Sequence, residues 1–262
     1  MFYIKPFFQG LLAAVLLSVG PALAQSPTKY TTAQAHSHND YAQDQPFRMA
    51  YNLQYGSIEA DLIFRNDTLY TAHDLQDVSP NRTFSSLYLQ PILAEIKKNG
   101  GSIYKDKNKQ LQLLIDFKTP AAPTMAALIK ELAPYADLLV PNGTVKIVIS
   151  GNTPAPSAFN QYPEYIFFDG RPTVAYSPEQ LERIGLISQT FQMYSRWTGS
   201  GNLPEADRIK LQQIIEQAHR QGKKFRFWAA PDTPEGWSTL MTLGADYINT
   251  DKIVGLAAFL KR

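Results

Sequence analysis

Eight short apolar runs, rich in β-branched and aromatic residues, alternate along this chain with eight stretches of helical period, and that alternation leaves few folds open. The runs cover residues 33–38, 57–64, 111–118, 145–150, 165–169, 184–188, 225–229 and 247–249. The helical stretches cover 46–54, 86–98, 124–135, 157–162, 177–183, 204–220, 234–243 and 253–261. Strand and helix in strict alternation is the pattern of βα units around a parallel sheet. The clearest helix is 204–220, where Ile209, Leu211, Ile214, Ile215 and Ala218 recur at helical spacing behind Pro204. Residues 69–71 extend the second unit into a hairpin around Asn66-Asp67, and 105–109 form a polar loop. No internal repeat or low-complexity linker marks a domain boundary. The economical reading is one α/β domain over residues 25–262, a single (β/α)8 TIM barrel, a fold whose usual size is about 250 residues.

Barrels of this kind place their chemistry at the carboxyl ends of the strands, so polar residues should gather where each apolar run stops. They do. The first run ends in His36-Ser37-His38-Asn39-Asp40, the second carries Glu59-Ala60-Asp61, and the hairpin ends in His73-Asp74. Asp116-Phe117-Lys118, Asp169-Gly170-Arg171, Trp228 and Asn249-Thr250-Asp251 close later runs. His219, beside Arg220 on the long helix, reads as a solvated or last-turn residue.

Composition narrows the chemistry. The 262 residues include no cysteine, which excludes disulfide scaffolds, iron–sulfur clusters, thiol nucleophiles and a lipoprotein anchor. A formal net charge of +2 lacks the basic excess on which nucleic-acid backbone binding draws. The expected partner is a small molecule. Residues 1–24 read as a secretory signal peptide: Lys5 supplies the positive region, 11–19 the apolar core, and Ala22-Leu23-Ala24 the cleavage site before Gln25. That apolar run is too short to span a bilayer, which takes about 20 residues. The expectation is export through the Sec pathway to a periplasm or the medium. Three glycosylation-type sequons, starting at Asn66, Asn81 and Asn142, are equally well explained as turns.

Residues two apart on a strand share a face, so Glu59 and Asp61 both point to the barrel axis while Ile58, Ala60 and Leu62 point to the helices. Like charges held together repel, and a hard divalent cation relieves that repulsion. With Asp116 from the next strand the set offers oxygen ligands only, which suits one Mg2+ or Ca2+ ion. His38 and His73, each at a strand end beside a carboxylate, suit acid–base catalysis near neutral pH, one assisting a nucleophile and one protonating a leaving alkoxide. His36 is the alternate to His38. A binuclear zinc site of the amidohydrolase kind fails on ligand count, because no histidine lies between His73 and His219. Two rival readings are a glycoside hydrolase using a carboxylate pair such as Glu59 and Asp169, and a barrel that binds a phosphorylated or lipid-like ligand without turnover.

The order His-Asn, Glu-x-Asp, His-Asp, acidic-x-Lys and Gly-Ala-Asp-Tyr-Ile-Asn-Thr-Asp resembles the glycerophosphodiester phosphodiesterase and phosphatidylinositol phospholipase C-like (PLC-like) superfamily. His38-Asn39-Asp40-Tyr41 is most similar to secreted and mitochondrial-inheritance-type members, and the layout is also similar to sphingomyelinase D-type phospholipases. The resemblance runs from His36 to Asp251. It implies a TIM barrel that cleaves a phosphodiester of glycerophosphodiester or lysophospholipid type, with His38 and His73 catalytic. It further implies Glu59, Asp61 and Asp116 as ligands of the cation and Lys118 as a phosphate contact. Trp228 matches an aromatic residue lining the substrate pocket; Asn39 and Arg171, with Arg65 as a further cation, complete the expected substrate contacts. The chain departs from the usual His-Arg-Gly and Glu-x-Lys motifs at His38-Asn39-Asp40 and at Asp116-Phe117-Lys118, the latter being closer to sphingomyelinase D.

Overall fold

A computed structural model of the chain describes Met1 and residues 25–261, so the expected signal peptide lies, apart from Met1, outside the described residues. Nine strands form: β1 (Ala35–Ser37), β2 (Ser57–Arg65), β3 (Thr68–Thr71), β4 (Leu111–Phe117), β5 (Val145–Gly151), β6 (Ile166–Gly170), β7 (Ile184–Thr190), β8 (Phe225–Trp228) and β9 (Ile248–Thr250). Each expected run became a strand, and β3 is the hairpin arm, antiparallel to β2. Asn66 and Asp67 turn that hairpin with φ of 49° and 57°, the left-handed pair that a two-residue turn between twisted strands requires.

The other eight strands are parallel in the order β8-β7-β6-β5-β4-β2-β1-β9. The ring closes between β8 and the residues leading into β9, through a bridge from Arg226 to Tyr247. Asp246 and Tyr247 both donate their amides to the Phe225 carbonyl, at 2.9 and 3.2 Å. Asp246 fixes this seam: its Oδ2 accepts from the Phe225 amide at 2.8 Å and lies 2.7 Å from His219 Nε2. His219 is therefore in the last turn of its helix, as expected, but it is buried and paired rather than solvated.

Among the described residues seven α-helices surround the ring: α1 (Arg48–Asn52), α2 (Gln90–Lys98), α3 (Ala121–Leu132), α4 (Pro178–Glu182), α5 (Glu205–Arg220), α6 (Pro234–Leu243) and α7 (Ile253–Phe259). Local chemistry sets their ends. The Ser177 side chain caps α4 reciprocally with Gln180, Thr233 caps α6 ahead of Pro234, and Gly244 ends α6 at φ 89°. The expected helix at 157–162 is instead a 3-10 segment, Pro156–Gln161. Pro154, Pro156 and Pro163 remove amide donors and disfavour helical backbone before each proline, so no full α-turn propagates there. The stretch 86–98 begins as a π-turn at Ser85–Leu89, and 124–135 is drawn toward its start as α3.

The alternation on each strand divides the core. Ile58, Ala60 and Leu62 are fully buried in the large cluster between strands and helices. Inside the ring, Leu114, Val148, Leu186 and Tyr247 form a small apolar plug with Phe167 against it. Above the plug, toward the carboxyl ends of the strands, the inward positions are polar.

Candidate active site

A cavity of about 500 Å³ opens at that end, lined by His38, Asn39, Glu59, His73, Asp116, Lys118, Ser150, Arg171, Arg226 and Trp228 among others. Parallel register sets Asp61 directly beside Asp116, and Asp116 beside Ser150. Glu59, Asp61 and Asp116 each present an oxygen within 4.8 Å of those of the other two.

Each carboxylate commits one oxygen to a donor of the protein. Glu59 Oε2 meets His36 Nε2 at 2.9 Å and Arg226 Nη1 at 2.8 Å. Asp61 Oδ2 meets His73 Nδ1 at 2.8 Å and Lys118 Nζ at 3.1 Å, and Asp116 Oδ2 meets Lys118 at 3.3 Å. The second oxygens remain. Asp61 Oδ1 is buried with no hydrogen-bond partner, an arrangement that is costly unless something positive completes it. Space around Asp116 Oδ1 depends on Gly151, at φ 70°, because a Cβ there would lie 1.9 Å from that oxygen. Three carboxylates with converging oxygens, together with an orphaned oxygen on Asp61, fit a hard divalent cation.

Electrostatics follow from this packing. Burial alone would raise Glu59, but the His36 hydrogen bond and the Arg226 charge hold its carboxyl well below the usual range. Asp116 is pushed up to about 6 by burial, with Glu59 and Asp61 adding to the rise against Lys118. Burial and Glu59 raise Asp61 as well. Burial works against charge on His38, yet the hydrogen bond to Asp251 and the nearby Glu59 outweigh it and raise the imidazole.

The two first-strand histidines separate cleanly. His36 is fully buried below the cavity, and burial and Arg226 push it down to about 3, so it is neutral. Gln112 donates to Ser57 Oγ at 3.0 Å, Ser57 Oγ lies 2.7 Å from His36 Nδ1, and the far ring nitrogen serves Glu59. His38 faces the cavity, its Nδ1 2.8 Å from Asp251 Oδ1 and its Nε2 3.8 Å from Glu59 Oε1. Asn39, held in the left-handed region at φ 47°, reaches the same Asp251 oxygen at 3.2 Å. Arg171 Nη1 pairs with Asp169 Oδ2 at 2.7 Å, and that carboxylate also accepts from Ser150 and Ser188. Arg65 does not join the site: it is exposed at the end of β2, because the hairpin carries it beyond the cavity wall.

Three contributors escaped the sequence reading. Arg226 is 3% exposed inside the ring. Its signal was available in Phe225-Arg226-Phe227-Trp228, where alternation sends the phenylalanines to the helices and the arginine inward with Trp228. Asp251 stood at a strand end with no partner assigned. Tyr41 links the two sides of the mouth, donating to Asn39 Oδ1 at 2.9 Å with its hydroxyl 3.5 Å from His73 Nδ1.

A closed parallel ring with histidines and carboxylates at its carboxyl mouth is a TIM barrel of the kind that solved glycerophosphodiester phosphodiesterases adopt. Two solved structures share the fold: a glycerophosphodiester phosphodiesterase from Parabacteroides distasonis ATCC 8503, and a putative glycerophosphoryl diester phosphodiesterase from Silicibacter pomeroyi DSS-3. The first has a TM-score of 0.54 at 13% identity, covering 91% of this chain and 98% of the other. The second also scores 0.54, at 11% identity, covering 90% and 95%. The family model described as AIM6-like phosphodiesterase domain matches residues 27–169, more than half of the chain, and this chain belongs to that family. A model of the glycerophosphoryl diester phosphodiesterase family matches residues 224–253. Among curated relatives, the altered inheritance of mitochondria protein 6 homolog of Arthroderma benhamiae is 27% identical over 83% of this chain and 81% of its own length. Altered inheritance of mitochondria protein 6 of Eremothecium gossypii is 25% identical over 86% and 69%.

Proposed function

We propose that this chain is an exported, divalent-cation-dependent phosphodiesterase acting on a small glycerophosphodiester or a lysophospholipid head group. The observation that carries the reading is the trio Glu59, Asp61 and Asp116, each with one oxygen that makes no hydrogen bond to the described residues, set between two histidines that face one cavity. These three residues would hold the Mg2+ or Ca2+ ion. Once bound, the cation supplies positive charge against the negative charge that builds on the phosphoryl oxygens.

The chain's own groups do the rest. Asp251 accepts a hydrogen bond from the Nδ1–H of His38, which leaves Nε2 turned to the cavity to exchange a proton with a nucleophile or leaving group. Asp61 orients His73 through its Nδ1 in the same way, so the second imidazole serves the opposite partner. Lys118 and Arg171 bring charge to a phosphate, with Asn39 as a neutral donor. Trp228 gives the cavity a flat apolar wall. His36, bound at both ring nitrogens beneath the cavity, orients Glu59. Export rests on the leader-like residues 1–24.

The test is cleavage of a bis-aryl phosphodiester by the wild type and by His73→Ala, with and without EDTA and cation add-back, read by phosphorus NMR so that a cyclic product shows. Loss of turnover in the variant and in EDTA, with an unchanged circular dichroism spectrum, is expected. Full activity in either case would sink the proposal.

A further inference from the structure

We propose a second binding site at the amino-terminal end of the barrel, opposite the carboxylates, that takes the phosphomonoester of a small hydroxylated molecule. The site is a cavity of about 190 Å³ where Lys146, from the start of β5, meets Lys223 and Lys224, which lead into β8. Gln110, Gln112 and Tyr247 line it as well.

Three ammonium groups share this space, and no carboxylate among the described residues forms an ion pair with any of them. Lys223 Nζ donates to the Ile184 carbonyl at 3.1 Å, and Lys224 Nζ to the Tyr247 hydroxyl at 3.2 Å. Among the described residues Lys146 has neither a hydrogen bond nor an ion pair; its Nζ sits 4.2 Å from the centre of the Phe167 ring in the floor of the barrel. The acids whose fields reach the cluster are Glu182, toward Lys223, and Asp246, toward Lys224. Asp246 is already bound to His219 and to the Phe225 amide. The ammonium of Lys146 is accordingly driven down to about 8, by burial first and then by Lys223 and Lys224. A half-buried cation that meets an aromatic face but no carboxylate among the described residues carries a cost that an arriving dianion would remove.

The neighbouring space supplies the rest of the ligand. A second cavity of about 190 Å³ shares Gln110, Lys224 and Tyr247 with the first and adds the amides of Gln34, Gln54 and Asn108. Amide side chains both donate and accept, which matches hydroxyl groups and not an alkyl chain. Cavities of this size fall below the roughly 300 Å³ at which drug-sized ligand sites begin, so the ligand is small. The site is independent of the phosphodiesterase reading, because it shares no residue with the carboxyl mouth.

Titration calorimetry of the full chain in EDTA at low ionic strength, with inorganic phosphate, glycerol 3-phosphate and ethyl phosphate as probes, tests it. The variants are Lys146→Gln with Lys224→Gln, Lys223→Gln with Lys224→Gln, and Lys118→Gln as the control at the carboxyl mouth. Saturable binding should persist in Lys118→Gln and weaken at least tenfold in both double variants, which should keep their phosphodiesterase activity. Glycerol 3-phosphate should bind several-fold tighter than the other two probes. No saturable binding to the wild type, affinity within twofold of wild type in the double variants, or loss of binding in Lys118→Gln would overturn the site. Equal affinity for the three probes would overturn the hydroxylated ligand. Lys223 and Lys224 lie between the Gln221-Gly222 turn and β8, outside the regular elements, so their double variant keeps the test valid if Lys146→Gln folds poorly.

Discussion

Replacing Arg226 with methionine isolates what holds the candidate cation site together. Arg226 and Glu59 are each 3% exposed, and Nη1 lies 2.8 Å from Glu59 Oε2 and 3.2 Å from Asn249 Oδ1. Methionine keeps most of the length and none of the charge, leaving Oε2 with His36 as its remaining donor. Removing one partner of a buried pair leaves the other charge uncompensated, at a cost of about 3–5 kcal/mol. The loss must depend on pH. In the wild type the Glu59 pKa is held below its unfolded value near 4.3, so its stabilisation is present above that pH and fades as pH falls through the folded value. In the variant, burial dominates and the folded pKa rises above the unfolded one, so a penalty appears above about pH 4.3 and grows with pH. The gap between the two proteins should therefore widen from pH 5 to pH 8. A divalent cation returns the missing countercharge. At a hundred times its dissociation constant it would restore about 2.7 kcal/mol, and the variant should bind it more tightly than the wild type does. Urea unfolding followed by circular dichroism, at pH 5 and pH 8, in EDTA and in saturating Mg2+, reads all of this. A loss below about 1 kcal/mol at pH 8, or one unchanged by pH and cation, would refute the argument.

Three further outcomes follow from single contacts. Gly151→Ala places a Cβ 1.9 Å from Asp116 Oδ1 and 2.6 Å from the Phe117 carbonyl at φ 70°, so the carboxylate must swing away. It should cost about 1–2 kcal/mol from the left-handed backbone, and calorimetric titration should show at least tenfold weaker Mg2+ or Ca2+ binding. Asp246→Ala removes acceptors from His219 and the Phe225 amide at the barrel seam and should lower stability by about 3 kcal/mol, read by urea midpoint. Lys146→Gln should raise stability at pH 7, where the wild type carries the unfavourable charge in full. The gain should shrink as pH climbs from about 8 toward the unfolded lysine value near 10.4, where native and unfolded chains are both neutral. Thermal melts across that range check the sign.

The fold was legible because the two hydrophobic periods never blur: every apolar run became a strand, and β2 carries Ser57, Glu59 and Asp61 inward with Ile58, Ala60 and Leu62 outward. The prolines around 156 hid a missing helix, since periodicity registers apolar spacing and not lost amide donors. The site was legible as a list of strand-end residues and not as pairings. Nothing local in the sequence says that Asp251 would reach His38 across 213 positions, or that His36 would sink beneath Glu59 while His38 rose above it. His219 sits in the last turn as expected, but its burial was hidden for the same reason: its partner Asp246 is 27 residues away, across the seam.

The pairings also change how the acidic mouth balances its charge. A cluster of carboxylates at one end of a barrel calls for a cation, but much of the neutralisation comes from the chain itself, through Arg226 on Glu59, Lys118 between Asp61 and Asp116, and Arg171 on Asp169. Those four acids and three bases leave one negative charge when all are ionised, and Asp251 at the rim adds a second. One divalent ion would bring the mouth to neutrality with both cavity histidines uncharged. On the proposed function, a phosphodiester monoanion would then enter a site where His38, its imidazole raised against burial by Asp251 and Glu59, can carry a proton that acid–base cleavage requires. On the same reading, Lys118 would have two roles that compete: it holds Asp61 and Asp116 together in the absence of the cation, and it would turn toward phosphate when cation and substrate are both bound. Lys118→Met should accordingly weaken substrate binding while leaving the cation bound more tightly, a split that a residue serving only as a structural clamp would not produce.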